Sequence, residues 1–223
     1  MTSSRDTVFA SIRRSLGVTG TERPRHDVVT ERMARHPRGL IPARGQLPPA
    51  DQLALFVTMV EASAASVEVL DRPDQVPEAV ASYLRGQNLP SRLRMGADPR
   101  LNDLPWGTTS IDVSKGPSDG QDLVGLSHAT AGVAETGTLV LTSGADNPTT
   151  INFLPDYHVV VVKAADVASD YETVWDRIRK SYGEGLMPRT VNWVTGPSRS
   201  GDIEQTLLFG AHGPRKVHVI VVK

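Results

Sequence analysis

The chain has 223 residues, 39% of them hydrophobic and 22% charged, with a formal net charge of -1 and no cysteine. That is the composition of a globular protein with one sizeable domain, or one domain and an appendage, and its charge balance argues against a polyanion such as nucleic acid as partner. Without cysteine there is no disulfide, no thiolate zinc cluster and no iron–sulfur cluster ligated in the usual way, so any redox chemistry falls to a bound cofactor or a partner chain.

The opening MTSSRDTVFASIRRSLG lacks the apolar centre of a secretory signal, and no segment approaches the roughly 18–20 apolar residues of a membrane span; a cytoplasmic location is expected. Residues 5–16 read as a short amphipathic helix, with Val8, Phe9, Ile12 and Leu16 as its apolar side. Residues 20–50 are rich in Arg and Pro with little periodicity and read as an extended arm, either a solvated tether or a strap around a second subunit. The division expected is therefore residues 1–49, helix and arm, followed by an α/β domain over 50–223.

From residue 50 helical and strand patterns alternate. Leu53, Leu55, Phe56, Met59 and Val60 form a helical stripe, and SVEVL (66–70) is a strand. PDQVPEAVASYLRG is a helix ending at Gly86, and SRLRMG a strand. TTSIDV, DLVGLS, TLVLT and YHVVVVKA follow as strands. After them DYETVWDRIRKSYG is a helix, TVNWVTG a strand, and a second helix leads to the strand KVHVIVVK. Uniformly apolar strands such as VVVV and VIVV separated by helices mark a mainly parallel sheet covered by helices on both faces. Over 108–142 strands succeed one another without a crossover helix, so part of the sheet is expected to be antiparallel. The fold class is α/β.

Three strand-end loops draw attention, because open α/β sheets bind ligands where strands hand over to turns or helices. In GVAETGTLVLTSG (132–144), Glu135 stands at the mouth of an apolar strand, where an ionised carboxylate needs a partner. As a functional group it is a nucleophile or general base, with Gly137 admitting a backbone N–H and Thr136 and Thr138 supplying hydroxyls. As a structural group it caps backbone N–H groups or pairs with Arg199. In VTGPSRSGDIEQTLLFG, Gly196 and Pro197 turn the chain and Ser198 or Ser200 caps a helix to about Gly210. The N–H groups at that helix start, with Arg199, suit a small anionic ligand, whereas Asp202 and Glu204 complement the helix dipole in a purely structural account. In GAHGP, His212 lies between Gly210 and Gly213 before the last strand.

Standard motifs fail. GPSRSGD has the spacing of a P-loop but Asp202 where its lysine belongs, and neither a nucleophile elbow nor a Gly-x-Gly-x-x-Gly fingerprint occurs. The six histidines include no pair at metal-ligand spacing, so no metal site is expected, and His158 and His218 read as core or sheet-edge residues.

AETGTLVL, NFLPDYHVVVV and TGPSRSGDIEQTLLFGAHGP, in that order and followed by an apolar terminal strand, resemble the lactate utilization protein C family, the small LUD-domain proteins. The resemblance covers roughly residues 50–223. It implies a fold of the NagB/RpiA/CoA-transferase-like group and a part in oxidising L-lactate to pyruvate with iron–sulfur-containing lactate utilization proteins. The cysteine-free chain is then the component without an iron–sulfur cluster, and no cofactor of its own is identified. The alternative is a CoA-transferase-like enzyme or anion-binding sensor centred on Glu135, with Thr136, Gly137, Thr138, Gly196, Ser198, Arg199, Asp202, His212 and Gly213 as ligand-binding residues.

Overall fold

A computed structural model describes residues 3–183, 185–201 and 207–223. They fall into two compact units, divided between Leu40 and Ile41.

The first unit holds two helices. In α1 (Ser4–Leu16) the Ser3 hydroxyl accepts the Asp6 N–H at 3.2 Å, and left-handed Gly17 (φ 62°) closes the C-terminal turn on the Arg13 and Arg14 carbonyls. The expected arm contains a second helix, α2 (Arg23–Arg35). Pro24 occupies its first turn, where a missing N–H costs nothing, so this proline opens the helix rather than breaking it. Neither helix buries a residue.

The second unit begins with α3 (Pro49–Ala62), which leads into β1 (Ser66–Leu70) and α4 (Val76–Gly86). Next come β2 (Arg92–Met95), the short α5 (Pro99–Asn102), β3 (Asp112–Lys115), β4 (Val124–His128), β5 (Ala131–Val133) and β6 (Thr138–Thr142). Then follow α6 (Thr149–Phe153), β7 (Tyr157–Lys163), β8 (Val167–Ala168), α7 (Tyr171–Tyr182), β9 (Val191–Val194), β10 (Arg199–Gly201), β11 (Leu207–Phe209) and β12 (Lys216–Val222).

Six strands in the order β1-β12-β7-β4-β2-β3 form a sheet in which every pairing is parallel. Its central strands are apolar because both faces are covered. On one face Val159 and Val161 of β7 and Ile220 and Val222 of β12 pack with Val76, Ala79, Val80 and Leu84 of α4. On the other, Val160, Val162, Val217, Val219 and Val221 meet Phe56 and Val60 of α3 together with Leu139 and Leu141 of β6. Burying each such side chain stabilises by roughly 1.5–3 kcal/mol, which fixes the strand register from both sides.

The antiparallel pairing expected within 108–142 lies in a separate four-stranded sheet, β8-β5-β6-β9. β3 and β4 instead flank β2 in the parallel sheet, so the helix-free residues 116–123 carry the chain past β2 rather than into a hairpin. The small sheet turns Leu139 and Leu141 to the main core and Val133 and Val140 to α7, where Val174 and Ile178 cover them.

The helix expected from Ser198 or Ser200 to Gly210 is a hairpin in the described residues. Strand β10 pairs antiparallel with β11, Arg199 opposite Phe209 and Gly201 opposite Leu207. Ser198 is already committed to extended pairing: its N–H bonds the Pro214 carbonyl at 2.8 Å and its carbonyl accepts the Gly210 N–H at 3.1 Å.

Candidate functional site

Glu135, between β5 and β6, is 4% exposed. Its Oε1 accepts the backbone N–H of Tyr171, the first residue of α7, at 3.3 Å, and its own N–H donates to the Ser169 carbonyl at 3.1 Å. A carboxylate at a helix N-terminus satisfies an orphan donor and complements the dipole. Gly45 approaches the other oxygen, since a Cβ there would lie 3.2 Å from Oε2. The cavities described below do not include Glu135 in their linings.

Neighbouring hydroxyls form a network. Tyr171 Oη lies 2.9 Å from Thr136 Oγ1 and 2.8 Å from Thr138 Oγ1, and Thr138 Oγ1 lies 2.7 Å from both Thr136 and Thr195 hydroxyls. It ties the start of β6 to the start of α7 and the end of β9. Gly137 (φ 66°) acts differently, because a Cβ there would stand 2.4 Å from the Val60 nitrogen, and its bare backbone seats the C-terminal turn of α3.

Gly196 (φ 70°) abuts the same turn, where a Cβ would meet the Ser63 carbonyl oxygen at 2.2 Å, and Arg199 donates to that carbonyl through Nη2. Arg199 thus bonds Ser63 rather than Glu135. The Ser198 hydroxyl accepts the His212 N–H at 3.2 Å, and a Cβ on Gly213 would sit 3.5 Å from Ser198 Cβ. The first two loops therefore meet at the end of α3 and the last two meet at Ser198, while the Glu135 carboxylate is engaged at α7. Asp202 lies outside the described residues.

Beside the second and third loops is a cavity of about 670 Å³ at the amino ends of β1, β12 and β7, lined in part by Pro197, Arg215, Lys216, Tyr83, Gln87 and Tyr157. Tyr83 stacks on His218 with ring centroids 4.1 Å apart and planes 9° from parallel. Lys216 Nζ donates to Gln87 Oε1 at 2.7 Å and lies over the Tyr157 ring. Burial raises the Tyr83 phenol to about 12, keeping it protonated.

The carboxyl edge of the parallel sheet carries a charged cluster that no sequence motif announces. The chain leaves β2 toward β3 on one side and leaves β4 toward β7 on the other, so the crevice between β2 and β4 is the topological switch point. Asp98, 2% exposed, follows β2 and caps α5 by accepting the Arg100 N–H at 2.9 Å. Arg100 returns its guanidinium to that carboxylate, Nη2 to Oδ2 at 2.6 Å and Nε to Oδ1 at 2.9 Å. Burial pushes the Asp98 carboxyl upward, but the bonds from Arg100 outweigh it and leave the group below the usual carboxylate range.

His128 ends β4 at 4% exposure with Nδ1 2.8 Å from the Ala129 carbonyl, which only accepts, so Nδ1 carries the proton. Burial first, and the Arg100 charge second, lower its pKa, so the ring is neutral near pH 7. The available signal was the Asp-Pro dipeptide closing the strand SRLRMG, which reads as a helix cap at a strand end. Among the described residues, no group of three or more His, Asp or Glu side chains is placed to hold a metal ion.

Residues 121–222 match the LUD domain. The chain is 33% identical to Lactate utilization protein C of Geobacillus sp. (strain WCH70), over 56% of this chain and 50% of that protein. It is 30% identical to Lactate utilization protein C of Bacillus subtilis (strain 168), over 56% and 60% respectively, so the chain spans about half the length of these curated relatives. The crystal structure of a DUF162 family protein from Deinococcus radiodurans superposes with a TM-score of 0.60 at 24% identity, covering 79% of this chain and 99% of that one, a likeness of fold. These matches bear out the resemblance drawn from the motifs.

Proposed function

We propose that this LUD-domain chain is the component without an iron–sulfur cluster in an L-lactate utilization system, acting beside iron–sulfur proteins that oxidise L-lactate to pyruvate. The similarity to proteins named Lactate utilization protein C carries this reading. The missing cysteines support the assignment within such a system, because a chain without thiolates lacks the usual ligands of an electron-carrying cluster. The local geometry favours a binding or docking part over covalent catalysis at Glu135, whose Oε1 is bonded to the α7 backbone. Under this reading the chain presents the cavity beside Pro197 and Arg215, or the sheet's carboxyl edge, to small molecules or partners.

The test is growth on L-lactate as sole carbon source after deletion of the gene, with complementation by the intact chain. It is paired with L-lactate-dependent dye reduction by the proteins encoded beside it, assayed with and without this chain. Loss of growth that the intact chain restores, with dye reduction dependent on its presence, is expected. Undiminished growth and dye reduction without it overturn the reading.

A further inference from the structure

We propose that the cavity over the carboxyl ends of β4, β7 and β12, next to the switch point between β2 and β4, binds a short-chain 2-hydroxy monocarboxylate, its carboxylate held by Arg100 and Lys163 and its hydroxyl by His128. The cavity measures about 220 Å³, with apolar walls from Leu104, Val161 and Val222 and polar groups from Arg100, His128 and Lys163. This is smaller than the roughly 300–1,000 Å³ of clefts that take drug-sized ligands, and too small for a nucleotide or coenzyme A. The walls suit a short aliphatic body.

The polar groups come from different elements and converge. His128 ends β4 and Lys163 ends β7, while Arg100 lies in α5 just beyond β2. Asp98 engages Nε and Nη2 of Arg100 and thereby sets the plane of the guanidinium, leaving Nη1 outside the pair. Asp98 is a positioning residue, and Arg100 with Lys163 provides the cationic end on which a carboxylate is recognised.

Local charge decides between a monoanion and a dianion. Asp98, and at longer range Asp166 and Asp146, act on Arg100 and hold its guanidinium firmly charged. With those carboxylates nearby, a phosphate dianion is repelled more strongly than a monocarboxylate. The hydroxyl requirement follows from the tautomer: Nδ1 of His128 donates to the Ala129 carbonyl, so Nε2 of the neutral ring is an acceptor and takes an O–H from the ligand.

The inference stands on the cavity alone; only the choice of L-lactate as first probe rests on the lactate-utilization reading. Calorimetric titration of the full chain with L-lactate, glycolate, propionate and inorganic phosphate tests it. Saturable binding of the two hydroxy acids is expected, with propionate weaker by on the order of ten-fold for the missing hydrogen bond. Lys163→Met and Arg100→Gln should each weaken L-lactate by about ten-fold or more, and His128→Leu should bring L-lactate down to the level of propionate.

Lys163 is exposed, so its substitution reads binding without disturbing the fold. An Asp98→Asn/Arg100→Gln pair removes the charge that Arg100→Gln alone would strand. Absence of saturable L-lactate binding, tighter binding of phosphate than of L-lactate, or unchanged affinity in Lys163→Met overturns the proposal. Growth lost on deletion without L-lactate binding removes this site and leaves the lactate-utilization reading standing. Binding with undiminished growth does the reverse.

Discussion

At the scale of single residues, Glu135 separates two accounts of the same buried carboxylate. Its bond to the Tyr171 N–H needs only an acceptor oxygen, which glutamine retains. Glu135→Gln should therefore cost less than about 1 kcal/mol, whereas Glu135→Ala leaves the helix N–H unmet and should cost about 1–3 kcal/mol in urea denaturation. Glu135→Gln should also support lactate-dependent growth; abolished growth in a folded variant would restore the nucleophile. Gly137 is stricter. A methyl group there would stand 2.4 Å from the Val60 nitrogen at a φ of 66°, so α3 must move, and Gly137→Ala should lose about 2 kcal/mol or more by the same measurement. The sequence makes both positions conspicuous but leaves their roles ambiguous, since glycine beside glutamate reads equally as an oxyanion cradle and as the seat of a helix. Asp98, Arg100 and His128 escape notice for a related reason. His128 is distant in the chain from Asp98 and Arg100, and only the strand order brings the ends of β2 and β4 together.

At the scale of elements, legibility follows how local the cause is. The valine runs of β7 and β12 announce strands buried on both faces, and Val76, Ala79, Val80 and Leu84 announce the covering helix, because burial writes its period directly into the residues. The hairpin of β10 and β11 is set by partners elsewhere, Pro214 and Gly210 taking up the backbone of Ser198, and glycine, serine and acidic residues in that stretch imitate a helix start. Helix α2 is hidden by prolines, although Arg35 and Glu31 at i, i+4 close an ion pair at 2.9 Å. The start of α7 shows what a real cap contributes: Asp170 Oδ1 accepts the Thr173 N–H at 2.8 Å and Oδ2 accepts the Thr173 hydroxyl at the same distance. Asp170→Ala should lower stability by about 1 kcal/mol or more, read as a drop in the urea midpoint, while Asp170→Asn, which still caps, should lose less.

At the scale of the whole molecule, every buried residue among those described lies in the unit that begins at Ile41, and α1 and α2 bury none. We propose that this unit is the independently folding domain, and a fragment of residues 41–223 should unfold cooperatively at the urea midpoint of the full chain. Within it, buried histidines set the response to acid. His158 is fully enclosed in β7 with Nε2 3.0 Å from the Ser127 hydroxyl, and burial lowers its pKa to about 3. His218 in β12 lies against Tyr83 with Nδ1 2.8 Å from the Ser66 hydroxyl, and burial lowers it to about 4 despite Glu68 at 3.9 Å, so that contact is no ion pair at neutral pH. In the unfolded chain both titrate near pH 6.5. Below that pH the unfolded state takes up protons that the native state refuses, so stability is complete above about pH 6.5 and falls as the pH drops toward 4 and then 3. Each histidine contributes up to about 1.4 kcal/mol per pH unit once the unfolded ring is protonated, so the two remove about 3 kcal/mol between pH 6.5 and pH 5. Urea denaturation at pH 7.5, 6.5, 5.5 and 5.0 should show at least that loss, since His128 adds to it in the same direction, and His218→Phe, which keeps an aromatic ring against Tyr83, should remove about half of the part due to His158 and His218. A stability independent of pH over this range would mean that these rings reach solvent and protonate in the native state.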